Sequence, residues 1–407
     1  MELYTLKVNP VNSQTPGTVD IQNVIDKFES LIWTERYYGD SECEIVLPIE
    51  MDLIEKLPLD IFLGIEESNE LLMLDTINIE DNRLKLKGIS VLSWLNNRFI
   101  RTTNKNKVRS WTLDDIPPGQ ALWEMLFSMV SPDSVYMTTD SIGIPQKFIN
   151  KLLIPEIGLY DFYSEDDPIT ISVSFAPLYD EMRNLAFSYQ IGMRIIWVTK
   201  LNPDAEKPLG FQSYKGLNKT HNQDPDKPQN PIIRFSRELD SLENIRELRS
   251  KSIYKTIAFS YAPNIDIELG DIDGAQPGIA YVTNANADDD PNTLSGFDCR
   301  ALQVFAENLT GFSTPSDFEL EQLAKGLGGI ARDELAKAML IEVVDGDIVQ
   351  NNVYQYGRDY SLGDIVELQG NDGVISAIRV TEHIIAEEGS GEKAYVTYGN
   401  EAQDITP

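Results

Sequence analysis

The chain has 407 residues, with 34 Lys and Arg against 65 Asp and Glu and a formal net charge of −31. That length leaves room for two to four domains with real cores, and 42% hydrophobic residues exclude a disordered chain. The acid excess excludes a surface of clustered Lys and Arg for gripping nucleic acid, and leaves either plain solubility or a surface past which a polyanion moves without sticking.

No apolar run approaches the roughly 20 residues of a membrane span; "IGMRIIWV" (Ile191 to Val198) is typical. The start "MELYTLKVNP" lacks the basic residues and long apolar run of a signal peptide, so a soluble protein is expected. Cys43 and Cys299 form neither a disulfide framework nor a zinc spacing, and both are expected buried and reduced.

From Glu2 to Gly88 the text is rich in strands. "ECEIVLPI" (Glu42 to Ile49) and "DIFLGIEE" (Asp60 to Glu67) have strand length. "LLMLDTINIEDNRLKLKGI" (Leu71 to Ile89) reads as two strands around the turn Glu80 to Arg83. Asp and Asn favour such a turn because their side chains bond local backbone and tolerate left-handed φ. This meander fits an antiparallel sheet or small barrel. "SVLSWLNNRFI" follows with helical spacing at Val91, Leu92, Leu95 and Phe99.

The middle is mixed. "PPGQALWEMLFSMV" (Pro117 to Val130) sets Leu122, Trp123, Leu126, Phe127 and Val130 at helical spacing behind a proline start. "FAPLYDEMRNLAFSYQIGMRIIWV" (Phe175 to Val198) runs from a second proline-led helix into a strand. The polar, proline-rich stretch Asn202 to Pro231 reads as a loop, hinge or arm and as the best linker in the chain.

Strand-rich text returns at Ile232, with "YKTIAFSYAP" (Tyr254 to Pro263) one strand, an acidic Gly/Pro-rich loop over 264–296, and "CRALQVFAENL" of mixed period. A helix over 315–340 has Ser316 as N-cap and Glu319 at the capping-box position. Strands are expected over Ile365 to Leu368, Val374 to Ile385 and Ala394 to Gly399, the last set off by the hairpin "EEGSGE".

Chemical signatures are sparse. His221 lies in the polar stretch and His383 in a late strand, so they read as surface or packing residues. Gly326, Gly328 and Gly329 lack the preceding strand and spacing of a phosphate cradle, and read as a helix bend. Asp271, Asp273 and Gly274, with Asp288, Asp289 and Asp290, could collect oxygens for calcium, but the first group lacks the third ligand pair and the distal Glu of a calcium loop, and acidic turns are expected in so acidic a chain. Paired carboxylates carry no signal among 65 acids. An aromatic platform for sugar, from Trp111, Trp123, Tyr160 and Trp197, is the alternative to a structural role, and would belong to a cell-wall-degrading or carbohydrate-binding protein.

At "YGRDYSLGDIVELQGNDGVISAIRVTEH" the chain resembles the C-terminal module of siphophage minor tail proteins of the distal tail hub type, relatives of the baseplate hubs of contractile tails. "FESLIWTERYYGDSECEIVLP" (Phe28 to Pro48) and "LKGISVLSWLNNRFI", with Gly88, Leu92, Leu95 and Arg98, are similar to the family's N-terminal order; "IRFSRELDSLENIRELRSKSIYKTIAFSYA" fits the opening of its later β module. The departures are the polar stretch around 202–231 and the acidic loop around Asp288.

The resemblance implies an α+β, mainly β fold with two tail-tube-like antiparallel β-barrel domains plus smaller mixed α/β domains. Its expected division is a first barrel with its closing helix over 1–100, a mixed domain over 101–231, and a second barrel over 232–407. It further implies a homotrimer at the tail tip of a virion, assembled in the host cytoplasm and adapting a sixfold tube to a threefold tip. Its partners would be the distal tail or tail tube protein, the tape measure protein and tip or fibre proteins, with DNA passing through the lumen without specific binding. No catalytic residue, cofactor or metal is implied. A structural motif is expected at Tyr360, Leu362, Gly363 and Asp364: Leu362 anchors a turn, Gly363 gives backbone freedom, and Asp364 bonds local amides and aims the next strand.

Overall fold

The computed structural model describes residues 2–9, 17–49, 57–59, 61–100, 110–134, 150–174, 176–225, 228–239, 241–261, 279–283, 296–305, 326–332, 334–335, 337–338, 341–348, 354–369, 375–388 and 391–399. The acidic groups at 271–274 and 288–290, and Ser316 with Glu319, lie outside them.

The described residues among the first hundred form seven strands: β1 (Leu3–Asn9), β2 (Thr18–Ile25), β3 (Ser30–Arg36), β4 (Glu42–Pro48), β5 (Phe62–Ile65), β6 (Leu72–Glu80) and β7 (Arg83–Ser90). β6 and β7 pair antiparallel around the expected turn, where Asp81 (φ 48°) and Asn82 (φ 61°) both take left-handed backbone. β4 alternates cleanly, with Cys43, Ile45 and Leu47 buried and Glu44 exposed. Ser90 then caps the short helix α1 (Val91–Trp94), its hydroxyl accepting the Ser93 N–H at 3.0 Å.

The middle contributes β8 (Ser110–Ile116), α2 (Pro118–Val130), β9 (Ile157–Asp161), β10 (Ile169–Ser174), α3 (Leu178–Ser188), β11 (Gly192–Trp197), α4 (Val198–Leu201) and β12 (Leu209–Tyr214). Both proline-led helices form as the spacing predicts. α2 buries Leu122, Met125, Leu126 and Met129, and α3 buries Leu178, Met182 and Leu185; the two share one core. β11 pairs antiparallel with β12, which pairs parallel with β9.

β12 corrects the expectation of a free linker over Asn202 to Pro231. Its alternation buries Leu209, Phe211 and Ser213, and residues after it are bonded to the C-terminal strands. Average polarity hid a six-residue strand whose inward positions are apolar or small.

The last part holds β13 (Arg234–Phe235), β14 (Leu242–Ser250), β15 (Ile257–Tyr261), β16 (Ile279–Thr283), β17 (Ala301–Phe305), a helical stretch at 326–332, β18 (Ile341–Ile348), β19 (Ile365–Gln369), β20 (Ile375–Glu388) and β21 (Gly391–Gly399). "CRALQVFAENL" therefore contains a strand, parallel to β15. Gly326, Gly328 and Gly329 all lie within the helical stretch. Cys43 is buried as expected, but Cys299 is exposed: it lies two residues before β17 and outside its alternation.

The chain is mainly β with α+β content. One 13-stranded sheet joins its two ends in the order β14-β18-β21-β20-β3-β4-β7-β6-β5-β1-β2, with β19 attached to β20 and β13 to β19. The junction is β20 against β3, antiparallel from Glu382↔Arg36 to Glu388↔Ser30. Among the described strands the ring of pairing does not close: β14 and β2 stand at its two ends. Beneath β3, β4, β6 and β7 lies an apolar core of Leu31, Trp33, Ile45, Leu47, Leu72, Leu84 and Leu86, which Ile385 of β20 enters. Among the described residues no helix is long and apolar enough to cross a membrane.

Candidate functional site

The expected motif lies at the seam between β19, β20 and the stretch after β12. Gly363 has φ 92°, a backbone that L side chains rarely adopt, and an added Cβ would run into the Tyr37 ring. Its N–H donates to Val380 O (2.8 Å), and the Val380 N–H returns a bond to Asp364 O (2.9 Å), so the turn is stitched to β20. Leu362 is buried, as is Tyr360, whose ring meets Phe235 edge-on at 5.1 Å and Tyr356 at 5.7 Å.

Asp364 does more than bond a local amide. Its Oδ2 accepts the Ser361 N–H (2.9 Å) and an ion pair from Lys219 (2.9 Å), while Oδ1 accepts the N–H of Leu217, 147 positions earlier (2.7 Å). The backbone continues this clasp: Ile365 N–H donates to Leu217 O (2.9 Å) and Lys219 N–H to Ile365 O (2.8 Å). Gly216 lies so close that a Cβ there would overlap the backbone of Gly363. Lys219 also donates to Asp359 O.

His221, read as a surface or packing residue, is exposed, and its ring is tied to this clasp. Its Nδ1 lies 2.5 Å from Glu367 Oε1, which also accepts the His221 N–H (2.8 Å), and Arg234 holds the other oxygen (2.7 Å). Burial works against the Glu367 charge, but these donors win and hold its carboxyl below the usual carboxylate range.

Tyr37, which nothing in its local sequence singles out, is the hub of the seam. Its N–H donates to Thr381 O (2.9 Å), its carbonyl accepts the Met193 N–H (3.0 Å), and its hydroxyl donates to Gln190 O (3.0 Å). Arg379 lies over the ring at 5.3 Å and donates to Gly363 O (2.6 Å) and Gln190 Oε1 (2.9 Å). Gly192 and Gly363 flank the ring, and a Cβ at either would clash with it. First, middle and last parts of the chain thus meet on one tyrosine. The only available signal was the pair of glycines, which gains meaning once their neighbour is known.

Beside Tyr37 lies a buried polar cluster. Glu35 accepts the Ser68 hydroxyl at 2.5 Å and faces His383 Nδ1 at 3.4 Å, 348 positions away in sequence. The ring of Tyr356 stacks on His383 at 3.6 Å. Burial alone would raise the Glu35 carboxyl, but the bond and charge of His383, helped by Ser68, hold it low. His383 is thus a packing residue, and it and His221 belong to separate clusters.

Among the described residues no group of three or more His, Cys, Asp or Glu is placed to hold a metal ion. The four platform aromatics do not share an exposed face: Trp111 and Trp197 are buried, Trp123 stacks on Phe211 at 6.1 Å, and Tyr160 is exposed.

A family model for the siphovirus ReqiPepy6 Gp37-like protein matches residues 16–258, more than half of the chain. No curated protein matches it. Among solved structures, the 43 kDa tail protein of prophage MuSo2 from Shewanella oneidensis is similar at a TM-score of 0.52 and 10% identity, covering 99% of this chain and 100% of that one. The likeness is one of fold. A tail protein from Neisseria meningitidis (TM-score 0.49, 9% identity, 97% and 96% covered) and prophage tail protein gp18 from Listeria monocytogenes (0.46, 10%, 99% and 95%) also align over nearly their whole lengths.

Proposed function

The chain belongs to the siphovirus ReqiPepy6 Gp37-like family, which makes it a phage structural protein of the tail and baseplate type, and we propose that it is the hub of a tail tip rather than an enzyme. Three copies form a ring, each presenting two tube-type β modules, from residues 1–100 and 232–407, so that six modules meet a sixfold tube above and a threefold tip below. The mixed part, 101–231, braces the two modules against each other.

The observation that carries this reading is the open sheet. β2 and β14 end it with no described strand beyond either. An exposed edge is a standing invitation to aggregate unless a neighbour pairs with it, and rotationally related copies supply such neighbours in a closed number. β20 against β3 fixes the two modules in one sheet, so that each copy contributes a rigid arc. The ring encloses the channel through which DNA leaves, and the net charge of −31 suits a lumen that phosphates slide past. The tube, tape measure and fibre proteins are the partners this reading assigns.

The test is position and stoichiometry in the particle. An epitope tag on the chain, gold-labelled in purified virions, should mark the end of the tail distal to the head, and quantitative mass spectrometry should find three copies per virion. Label at the head or along the tube, or six or more copies, overturns the reading.

A further inference from the structure

We propose that Glu70 is a proton-operated clasp between the sheet and the middle of the chain. Protonated, it lets residues 66–70 seat against β11; deprotonated, it places a second negative charge beside Glu35 and loosens that seat. The inference stands apart from the tail-tip reading, since it concerns only how the chain's own parts are held together.

The geometry is that of a clasp. Glu70 is 3% exposed and makes an isolated antiparallel bridge with Ile196 of β11. The Trp197 N–H donates to Asn69 O at 2.8 Å, and the Glu70 N–H to Ser68 Oγ at 3.0 Å. Lys200 of α4 closes the loop from the other side, donating to the carbonyls of Ile65 (3.3 Å), Glu66 (2.7 Å) and Ser68 (2.9 Å). These few bonds are how β11, and through it α3 and α4, reach the loop between β5 and β6.

Inside the clasp the charges do not balance if Glu70 is ionised. The Ser68 hydroxyl is committed to Glu35 (2.5 Å), and Glu70 Oε1 is buried with no hydrogen-bond partner. From β3 and the turn after it, Glu35 and Asp40 add negative charge, while Ser41 offers a hydroxyl. β11 supplies Arg194, whose Nε is already bonded to Gln212 Oε1 at 2.9 Å and whose guanidinium lies 4.9 Å over the Tyr214 ring of β12. His383 of β20 and Tyr356 stand behind Glu35, and Asp40 is paired with Arg183 of α3 at 3.2 Å. One partly committed arginine therefore serves two buried carboxylates. Like charges so placed cannot both ionise cheaply, and one keeps its proton. Glu35, held by Ser68 and His383, is the one that ionises. Burial first, and then the Glu35 charge, push the Glu70 carboxyl up to about 8 against the pull of Arg194.

The sign follows. Opened to water, Glu70 releases its proton near its ordinary value of 4.5; seated, it keeps it to about 8. Between those values the open form binds fewer protons, so opening becomes more favourable as pH rises, by tenfold per pH unit at most. Below 4.5 and above 8 this group adds no further slope.

The test is hydrogen exchange of the full chain from pH 5 to 9.5, corrected for intrinsic rates, at the amides of Glu70 and Trp197. Wild type should lose protection by up to tenfold per unit to about pH 8 and then level. Glu70→Gln, which mimics the protonated form, should stay flat over the same range. A flat wild type, or an equal slope in both, overturns the proposal. Should Glu70→Gln fail to fold, the infrared band of a protonated carboxylic acid in wild type decides: present at pH 6 and lost around pH 8 supports the clasp, and absent at pH 6 overturns it.

Discussion

One strand, β3, serves two unlike regions. Its inward series runs Leu31, Trp33, Glu35 and then Tyr37 just beyond its end. Leu31 and Trp33 enter an apolar core with Ile45, Leu47 and Leu86, in which contact is non-directional and shape alone must fit. Glu35 and Tyr37 enter a joint that adds directed bonds to distant segments to its packing. β20 repeats the pattern in register: Ile385 faces Trp33, and His383 faces Glu35. The apolar half supplies stability through area removed from water. The polar half decides which segment sits where, because a misplaced partner leaves a buried donor or acceptor unmade.

Trp33→Ala is the largest break on the apolar side. It empties a fully buried site, and urea unfolding should show a loss of about 3–5 kcal/mol. On the joint side, Gly363→Ala should cost about 3 kcal/mol, from left-handed strain together with overpacking against Tyr37. Gly357→Ala, with φ 79° but open space around it, should cost only the strain, about 1–2 kcal/mol. Equal midpoint shifts for the two glycine variants would mean that Tyr37 does not press on the turn.

Asp364→Asn keeps the shape but leaves one acceptor oxygen for the Leu217 and Ser361 amides, and it removes the charge facing Lys219, which is buried with it. A loss of about 2 kcal/mol is expected in the same assay, together with increased exchange of the Leu217 amide. The smallest effect is on the acid side. Glu35 and Glu367 have carboxyls held below their ordinary 4.5 in the folded chain. Their contribution is present above that value and lost as pH falls through the folded value, because the unfolded chain takes up protons first. Stability against heat should therefore fall below about pH 4.5. Glu367→Gln should flatten that decline slightly; an unchanged decline would show that the His221 and Arg234 contacts are not made in solution.

Local pattern made much of the architecture legible. The β6–β7 turn, the alternation of β4, the two proline-led helices and β19 to β21 all arise from residues within a few positions of one another. The strand inside 202–231 was hidden because proline and polar neighbours set the average there, while Leu209 and Phe211 carried the signal. Gly363 was legible as a residue needing freedom, but not that Tyr37 is the reason. Asp364 was legible as an amide acceptor, but not that Leu217 and Lys219 would be its partners.

By itself, then, the sequence determined the elements, their turns and an acidic chain built mainly of sheet, because alternation, helical spacing and turn chemistry act over neighbouring residues. Only the tertiary structure decided that β20 lies on β3 and that Glu35, Glu70, Arg194 and His383 share one buried space. Pairing over hundreds of residues leaves no local periodicity. A buried carboxylate on an inward face cannot be told from an exposed one until its partners arrive.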